Sequence, residues 1–210
     1  MKILATDLDR TLLPNGRWKG DPQAIELFNE LTGKHGTLVV YVTGRNLDLT
    51  EKAIAEYGVR YPDVLCGDVG TTIRRYGQDR WTPDPGWDAH VRRASPRWDA
   101  ATIRDAVATV NGMREQESEH QNPFKQSYYV DHRRSETVLA QVEDRVQGRF
   151  DAVSVYSFDS QDGKRLLDVL PASAPTQTAL EYVAESCGCP KGEVVFCGDS
   201  GIDIFPLTAG

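Results

Sequence analysis

Long apolar runs and an excess of positive charge are both missing from this sequence. No stretch approaches the ~18 consecutive apolar residues of a membrane span, and Met1 is followed at once by a strand-like segment without a signal-peptide pattern. The net charge is -7, whereas a chain that binds nucleic acid needs clustered Lys and Arg to neutralise phosphates. We therefore expect a cytoplasmic protein with no membrane and no nucleic-acid partner.

Cysteine and histidine are also sparse. The chain has four of each, and among the cysteines only Cys187 and Cys189 are close in sequence, with no pair of histidines beside them. A disulfide framework or a zinc site needs regularly spaced ligands. The pattern favours reduced thiols with a structural role.

Apolar residues are numerous enough for a folded core. Of 210 residues, 40% are hydrophobic and 26% are charged, so the chain can bury one core, or one core and a smaller lobe. Strand-like runs alternate with helices that begin at Asp21-Pro22 and at Asp48, where Glu51 completes the spacing of a capping box. This alternation predicts a parallel sheet with right-handed crossovers. After the first strand, the predicted strands cover 37–42, 63–66 and 71–76.

The pattern changes after residue 77. Segment 78–98 is rich in Trp, Pro and Gly, which predicts a linker and a helix rather than another crossover. A second α/β unit follows, and the chain then returns to the first. The predicted helices cover 100–110, 135–150 and 175–185, and the predicted strands cover 124–130, 152–158, 165–170 and 193–197.

Asp7 and Asp9 stand where the first apolar strand ends. Side chains alternate along a strand, so the two acids lie on one side and Leu8 on the other. In open α/β sheets this edge binds ligands. Two carboxylates this close repel each other, which indicates a divalent metal or a raised pKa. The alternative is a turn that the acids merely cap.

Polar residues follow two other predicted strands. Thr43 and Gly44 follow the second strand, and Asp199 and Asp203 follow the last. Four acids at one sheet edge are unfavourable without a cation, and their hard oxygens suit Mg²⁺. The Thr43 hydroxyl and the Gly44 amide are donors suited to a phosphate oxygen. A metal, a phosphate pocket and a nucleophilic carboxylate together predict phosphoryl transfer through an aspartyl-phosphate.

Three of these segments resemble the ordered motifs of the haloacid dehalogenase superfamily of phosphatases. They are Asp-Leu-Asp-Arg-Thr at 7–11, Val-Thr-Gly-Arg at 42–45 and Gly-Asp-Ser-Gly-Ile-Asp at 198–203. The inserted segment resembles the large cap of the sucrose-phosphate phosphatase group, and further matching segments lie at 63–71, 121–130 and 167–171.

The resemblance implies an α/β fold with a Rossmann-like parallel sheet core and an inserted α/β cap domain. The core would comprise 1–80 and 169–210, and the cap would comprise 81–168.

The resemblance also assigns roles to single residues. Asp7 would attack phosphorus, and Asp9 would be the general acid. Mg²⁺ would be bound by Asp7, by the backbone carbonyl of Asp9, by Asp199 and, through water, by Asp203. Thr43 and Gly44 would hold the phosphate. The candidate sugar contacts in the cap are Gln121, Asn122, Lys125 and Tyr128, although each is equally compatible with an ordinary cap strand.

Two positions depart from the family pattern. Thr176 stands where the family has a lysine whose ammonium offsets phosphate charge, and it offers the phosphate one hydroxyl instead. Lys125 and Lys164 are candidates to reach in from elsewhere. Ile202 replaces an asparagine in the last motif.

Two functions follow. The first is a Mg²⁺-dependent phosphatase of sucrose metabolism, acting on sucrose phosphate or another glycosyl phosphate. The alternative is a weak or inactive relative that binds a sugar phosphate or a glycosyltransferase partner. The chain ends soon after the last motif, where the family continues, so a homodimer that covers the open strand edge and a shortened chain are both compatible with the sequence.

Overall fold

The structure, a computed structural model, describes residues 2–15, 19–34, 36–159 and 163–199. It divides into two compact units. The core unit comprises the residues up to Trp87 and from Thr176 onward, and the cap unit comprises Asp88–Pro175. No helix in the described ranges is long and apolar enough to cross a membrane.

The core unit contains a six-stranded sheet of order β10-β1-β2-β3-β4-β5. Strands β10, β1, β2 and β3 are parallel, and β3, β4 and β5 are joined as antiparallel neighbours. The sheet strands are β1 Ile3–Thr6, β2 Leu38–Val42, β3 Val64–Gly67, β4 Thr72–Gly77, β5 Arg80–Pro83 and β10 Val194–Cys197. The helices of this unit are α1 Pro22–Lys34, α2 Leu47–Tyr57 and α6 Thr176–Ser186. The predicted α/β class with a parallel sheet core is confirmed.

Strand β2 shows why the centre of this sheet is buried on both faces. Val39, Val40, Tyr41 and Val42 are all buried, which is the pattern of a parallel strand covered on both sides. The hydroxyl of Tyr41 donates to the carbonyl of Arg60 at 2.6 Å, so its polar end is satisfied inside the core.

Helix α2 begins differently from the sequence prediction. Asn46, not Asp48, is the N-cap, and its side chain accepts a hydrogen bond from the N–H of Leu49 at 2.9 Å. Gly58 ends the helix with φ 65, a conformation that glycine adopts without strain. The predicted capping box is therefore wrong, because Asp48 already lies within the first turn.

The cap unit contains a four-stranded antiparallel sheet of order β6-β7-β9-β8. Its strands are β6 Met113–Glu115, β7 Gln126–Val130, β8 Ala152–Asp159 and β9 Lys164–Pro171. Helix α3 Pro85–Ala94 crosses the boundary of the units, and α4 Ala100–Val107 and α5 Ser135–Val146 lie within the cap unit. The buried core of this unit includes Ile103, Val107, Val138, Val142, Leu167 and Val169.

Segment 78–98 contains more structure than predicted. Strand β5 pairs with β4, with Trp81 opposite Tyr76, so this hairpin extends the core sheet. The two compact units divide after Trp87 and after Pro175, and the expected bounds of the core, 1–80 and 169–210, and of the cap, 81–168, stay a prediction. Trp, Pro and Gly are typical of irregular chain, but the pairing with β4 makes 80–83 a strand, so the predicted linker is wrong there.

Candidate active site

Three neighbouring parallel strands end at one edge of the core sheet. Strand β1 lies between β10 and β2, and the N–H of Asp7 donates to the carbonyl of Cys197 at 2.9 Å. The residue after β1 is thereby tied to the end of β10. Asp7, Thr43 and Asp199 follow these three strands, so the topology carries them to the same edge, as parallel pairing predicts.

The loop after β1 folds back on itself and buries Asp7. The carbonyl of Leu8 accepts hydrogen bonds from the N–H groups of Leu12 and Leu13 at 3.1 and 2.7 Å. Leu8 is fully buried in the apolar core. Asp7 is only 9% exposed, and its Oδ2 accepts a hydrogen bond from the hydroxyl of Thr11 at 3.2 Å. The loop therefore anchors Asp7 from both sides.

Arg45 binds the carboxylate of Asp9 through two parallel hydrogen bonds. Its Nε lies 2.9 Å from Oδ2 and its Nη2 lies 2.6 Å from Oδ1. This hydrogen-bonded contact with Asp9 raises the pKa of Arg45 above its ordinary value. Asn15 also donates to Oδ1 of Asp9 at 3.1 Å, and Nη1 of Arg45 donates to the carbonyl of Leu49 at 3.3 Å. Asp9 is thus held in one orientation.

Thr43 and Gly44 form the start of the loop after β2. Thr43 is buried, and its N–H donates to the carbonyl of Cys66 at 2.9 Å while its carbonyl accepts from the N–H of Val69 at 3.1 Å. Its hydroxyl oxygen accepts a hydrogen bond from the N–H of Arg45 at 3.2 Å. Gly44, the next residue, is exposed.

A strained turn after β3 supports the Thr43–Arg45 loop. Asp68 and Val69 both have left-handed backbones, with φ 53 and 61, which cost non-glycine residues about 1–3 kcal/mol each. The N–H of Asp68 donates to the carbonyl of Arg45 at 2.9 Å. A Cβ on Gly67 would lie 3.1 Å from that same carbonyl oxygen. The hydrogen bond and the close packing of this strained turn therefore hold the loop that carries Thr43 and Arg45.

At the end of β10, Asp199 is paired with an arginine. The Nε of Arg10 lies 3.2 Å from Oδ2 of Asp199. In the described ranges, no group of three His, Cys, Asp or Glu side chains is arranged to hold a metal. The carboxylates of Asp7 and Asp199 nevertheless supply hard oxygens at adjacent strand ends, a donor set that fits Mg²⁺. Asp203 and Ile202 lie outside the described residues.

Thr176 is the first residue of α6 and is buried at 6% exposure. Helix α6 packs against β3 and against the turn Asp68–Gly70.

The two lysines considered as replacements for the missing ammonium belong to the cap unit. Lys164 places its Nζ 5.1 Å from the centroid of the Tyr129 ring, and Lys125 is buried at 4% exposure. Their reach toward a bound phosphate stays a prediction.

Gln121 and Asn122 use their amides to shape the turn before β7. The Nε2 of Gln121 donates to the carbonyls of Gln116 and Ser127 at 3.1 and 2.9 Å, and its Oε1 accepts from the N–H of Ser127 at 2.9 Å. The Oδ1 of Asn122 accepts from the N–H of Phe124 at 2.8 Å. Both side chains are half-buried, and their role as sugar contacts stays a prediction.

Lys125 and Tyr128 are buried in the cap unit. Tyr128 packs in its apolar core at 4% exposure, and no hydrogen bond to its hydroxyl is found among the described residues. Burial raises the pKa of Tyr128 to about 12. Next to it in sequence, the hydroxyl of Ser127 donates to the buried carboxylate of Asp168. As sugar contacts, Lys125 and Tyr128 also stay predictions.

Sequence reasoning gave no role to the two arginines of the site. Arg10 and Arg45 both stand inside the quoted motifs, and each is ion-paired with an acid of the site. The only feature of the sequence that points to these arginines is their position directly beside the acids and donors of the motifs. Their ion pairs with the two acids depend on how the loops fold, which the sequence pattern does not indicate.

Comparison with known proteins identifies relatives for the whole chain. The family model described as sucrose-6F-phosphate phosphohydrolase matches residues 1–209. A protein described as a HAD-like hydrolase from Nitrosococcus oceani is 35% identical over 99% of this chain and 57% of its own length. Sucrose-phosphatase 1 of Nicotiana tabacum is 29% identical over 96% of this chain and 46% of its own length. The chain therefore spans about half the length of these relatives.

A solved structure has the same fold. The sucrose-phosphatase of Synechocystis sp. PCC6803, determined in complex with sucrose and phosphate, superposes with a TM-score of 0.77 at 23% identity, and the match covers 97% of this chain and 77% of that one. At this identity the likeness establishes the fold, including the inserted cap.

Proposed function

Because the chain belongs to the sucrose-6F-phosphate phosphohydrolase family, we propose that it is a phosphatase acting on a sugar phosphate, with sucrose phosphate as the first candidate. The observation that carries the proposal is the arrival of Asp7, Thr43 and Asp199 at the ends of three neighbouring strands, with Asp9 fixed beside them. A buried acid at a ligand-binding sheet edge is the nucleophile that this chemistry needs.

In the proposed reaction, a carboxylate oxygen of Asp7 attacks phosphorus and forms an aspartyl-phosphate. Asp9 enters this step protonated, and it donates that proton to the sugar oxygen as the bond between phosphorus and this oxygen breaks. Asp9 then takes a proton from a water molecule, which attacks phosphorus and breaks the bond to Asp7. Inorganic phosphate leaves, and both carboxyl groups return to their starting states.

The carboxylates of Asp7 and Asp199 and the carbonyl of Asp9 would hold Mg²⁺, with Asp203 as a further support. When bound, Mg²⁺ would neutralise charge on the phosphate and on the attacking carboxylate. The Thr43 hydroxyl, the Gly44 amide and the Thr176 hydroxyl would donate hydrogen bonds to phosphate oxygens.

Release of phosphate from a panel of glycosyl phosphates tests this function. With Mg²⁺, we expect turnover of at least one member, sucrose 6F-phosphate first, and we expect Asp7→Asn to abolish it. Asp48→Asn, an exposed acid of α2, is the matched control and should retain activity. If no member is hydrolysed, or if Asp7→Asn retains full activity, the phosphatase proposal is wrong.

A second candidate function is favoured by Thr176. A buried threonine cannot supply the charge of an ammonium, and the loss of one such interaction costs about 10²-fold or more in rate. A chain with this deficit could serve as a module that binds a sugar phosphate without hydrolysing it. Calorimetric binding of a sugar phosphate, together with no release of phosphate over hours, would support the module.

A further inference from the structure

Arg10 forms an ion pair with the carboxylate of Asp199 in this structure. The Nε of Arg10 and Oδ2 of Asp199 are 3.2 Å apart, and the two side chains are 33% and 28% exposed. Asp199 stands two positions after the end of β10, where the proposed function takes it as a metal ligand. The guanidinium of Arg10 thus contacts a carboxylate oxygen that would bind Mg²⁺.

The backbone of Arg10 is unusual for an arginine. Its φ is 66, in the left-handed region that glycine and asparagine enter most readily. Its N–H donates to the carbonyl of Leu13 at 2.8 Å, so the tight loop fixes this conformation. The chain therefore places a charged side chain at a position where a small neutral residue would be less strained.

The other arginine of the site is arranged differently. Arg45 binds both carboxylate oxygens of Asp9, and Asp9 would offer the metal its backbone carbonyl rather than its side chain. Removal of Arg45 therefore tests the orientation of Asp9, whereas removal of Arg10 acts on the side chain of a proposed metal ligand.

We propose that Arg10 is an electrostatic latch on the metal site, which holds Asp199 when no metal is bound and weakens the binding of Mg²⁺. A cation that binds Asp199 must either displace the guanidinium or remain close to a like charge, and both alternatives oppose binding. The proposal rests on the proposed function, since it takes Asp199 as a metal ligand.

The size of the effect is bounded by the pair itself. An ion pair that is about one-third exposed is partly screened, and the pair is easily opened. Repulsion between a guanidinium and a divalent cation adds to the cost of opening it. Together these effects predict that removing the charge of Arg10 tightens metal binding by about threefold to tenfold.

Titration with Mn²⁺, followed by the EPR signal of the free ion, tests the latch. Mn²⁺ takes the same hard oxygen ligands as Mg²⁺. The variant R10N suits the left-handed backbone and removes the charge, R10K keeps the charge, and K34Q removes a charge from an exposed ion pair on α1. We expect R10N to bind Mn²⁺ about threefold to tenfold more tightly than the wild type, and R10K and K34Q to stay within about twofold of it.

The outcomes separate the latch from the metal site. If the wild type binds Mn²⁺, D199N binds it more weakly and R10N equals the wild type, the latch is wrong and the metal site stands. If K34Q tightens binding as much as R10N, the effect is one of net charge and the latch is wrong. If neither the wild type nor R10N binds Mn²⁺, the metal site and the latch are both wrong. Circular dichroism of each variant verifies its folding.

Discussion

Replacement of Arg45 by methionine would remove the two hydrogen bonds that hold Asp9 while keeping an unbranched side chain. The donors lie 2.9 and 2.6 Å from the two carboxylate oxygens. After the change, Asp9 would retain its contact with Asn15 at 3.1 Å. If Asp9 is the general acid, a carboxyl group with only this support should spend less time in the productive orientation.

The structure sets the scale of the effect. Hydrogen bonds to charged groups contribute about 1.5–3 kcal/mol, but the Arg45 and Asp9 side chains are 20% and 28% exposed, so solvent screening reduces the loss of stability to about 1–2 kcal/mol. General acid catalysis contributes about 10²–10⁴-fold in rate. Partial misplacement of the acid should therefore lower kcat/KM for a sugar phosphate by about 10–100-fold.

The leaving group provides the assay. p-Nitrophenol leaves without a proton, so Arg45→Met should lower kcat/KM for p-nitrophenyl phosphate by less than about threefold, while kcat/KM for the sugar phosphate falls by the full factor of about 10–100-fold. The comparison uses kcat/KM because this quantity reports only the formation of the aspartyl-phosphate, whereas kcat also includes the later attack of water that Asp9 assists on both substrates. Asp9→Asn should show the same selectivity, and the double variant should be no worse than Asp9→Asn alone. Equal losses on both substrates, or additive losses in the double variant, would refute the role of Arg45 in positioning Asp9.

Three further outcomes are expected. Thr176→Lys should raise kcat if the ammonium position is vacant, and an unchanged kcat would mean that another cation already serves there. Burial raises the pKa of Cys66 and of Tyr128 to about 12 each, from ordinary values of 9.0 and 10.0. Their contribution to the free energy of unfolding is therefore complete below pH 9 and declines as the pH rises toward 12. Chemical denaturation at pH 8 and at pH 11 should therefore give a lower free energy of unfolding at pH 11. Gly67→Ala places a Cβ 3.1 Å from a backbone oxygen and should lower the free energy of unfolding by about 1–3 kcal/mol. Gly33→Ala, in open space on α1, should raise it by about 0.5–1 kcal/mol. Thermal unfolding that ranks these two variants in the opposite order would contradict the packing at Gly67.

The parallel core could be predicted because its signals are local. Strand β2 is a continuous apolar run, and Asp7 and Thr43 follow their strands directly. Rules of topology then place these strand ends at one edge. Neither step requires knowledge of distant contacts.

The supporting contacts could not be predicted, because they depend on tertiary pairing and on rare backbone conformations. Arg45 meets Asp9 from 36 positions away, and the left-handed residues Asp68 and Val69 are not marked by glycine. Strand β5 was missed for a related reason, since its pairing with β4, and not its own composition, makes it a strand.

The central claim is that Asp7 is the nucleophile, and trapping of its phosphorylated form tests it most directly. Protein mixed with Mg²⁺ and sucrose 6F-phosphate, quenched in acid and reduced with borohydride, should carry homoserine at position 7 in the peptide mass spectrum. The same treatment without substrate should leave aspartate there. Homoserine at Asp9 instead, or an unmodified peptide from a sample that released phosphate, would contradict the account.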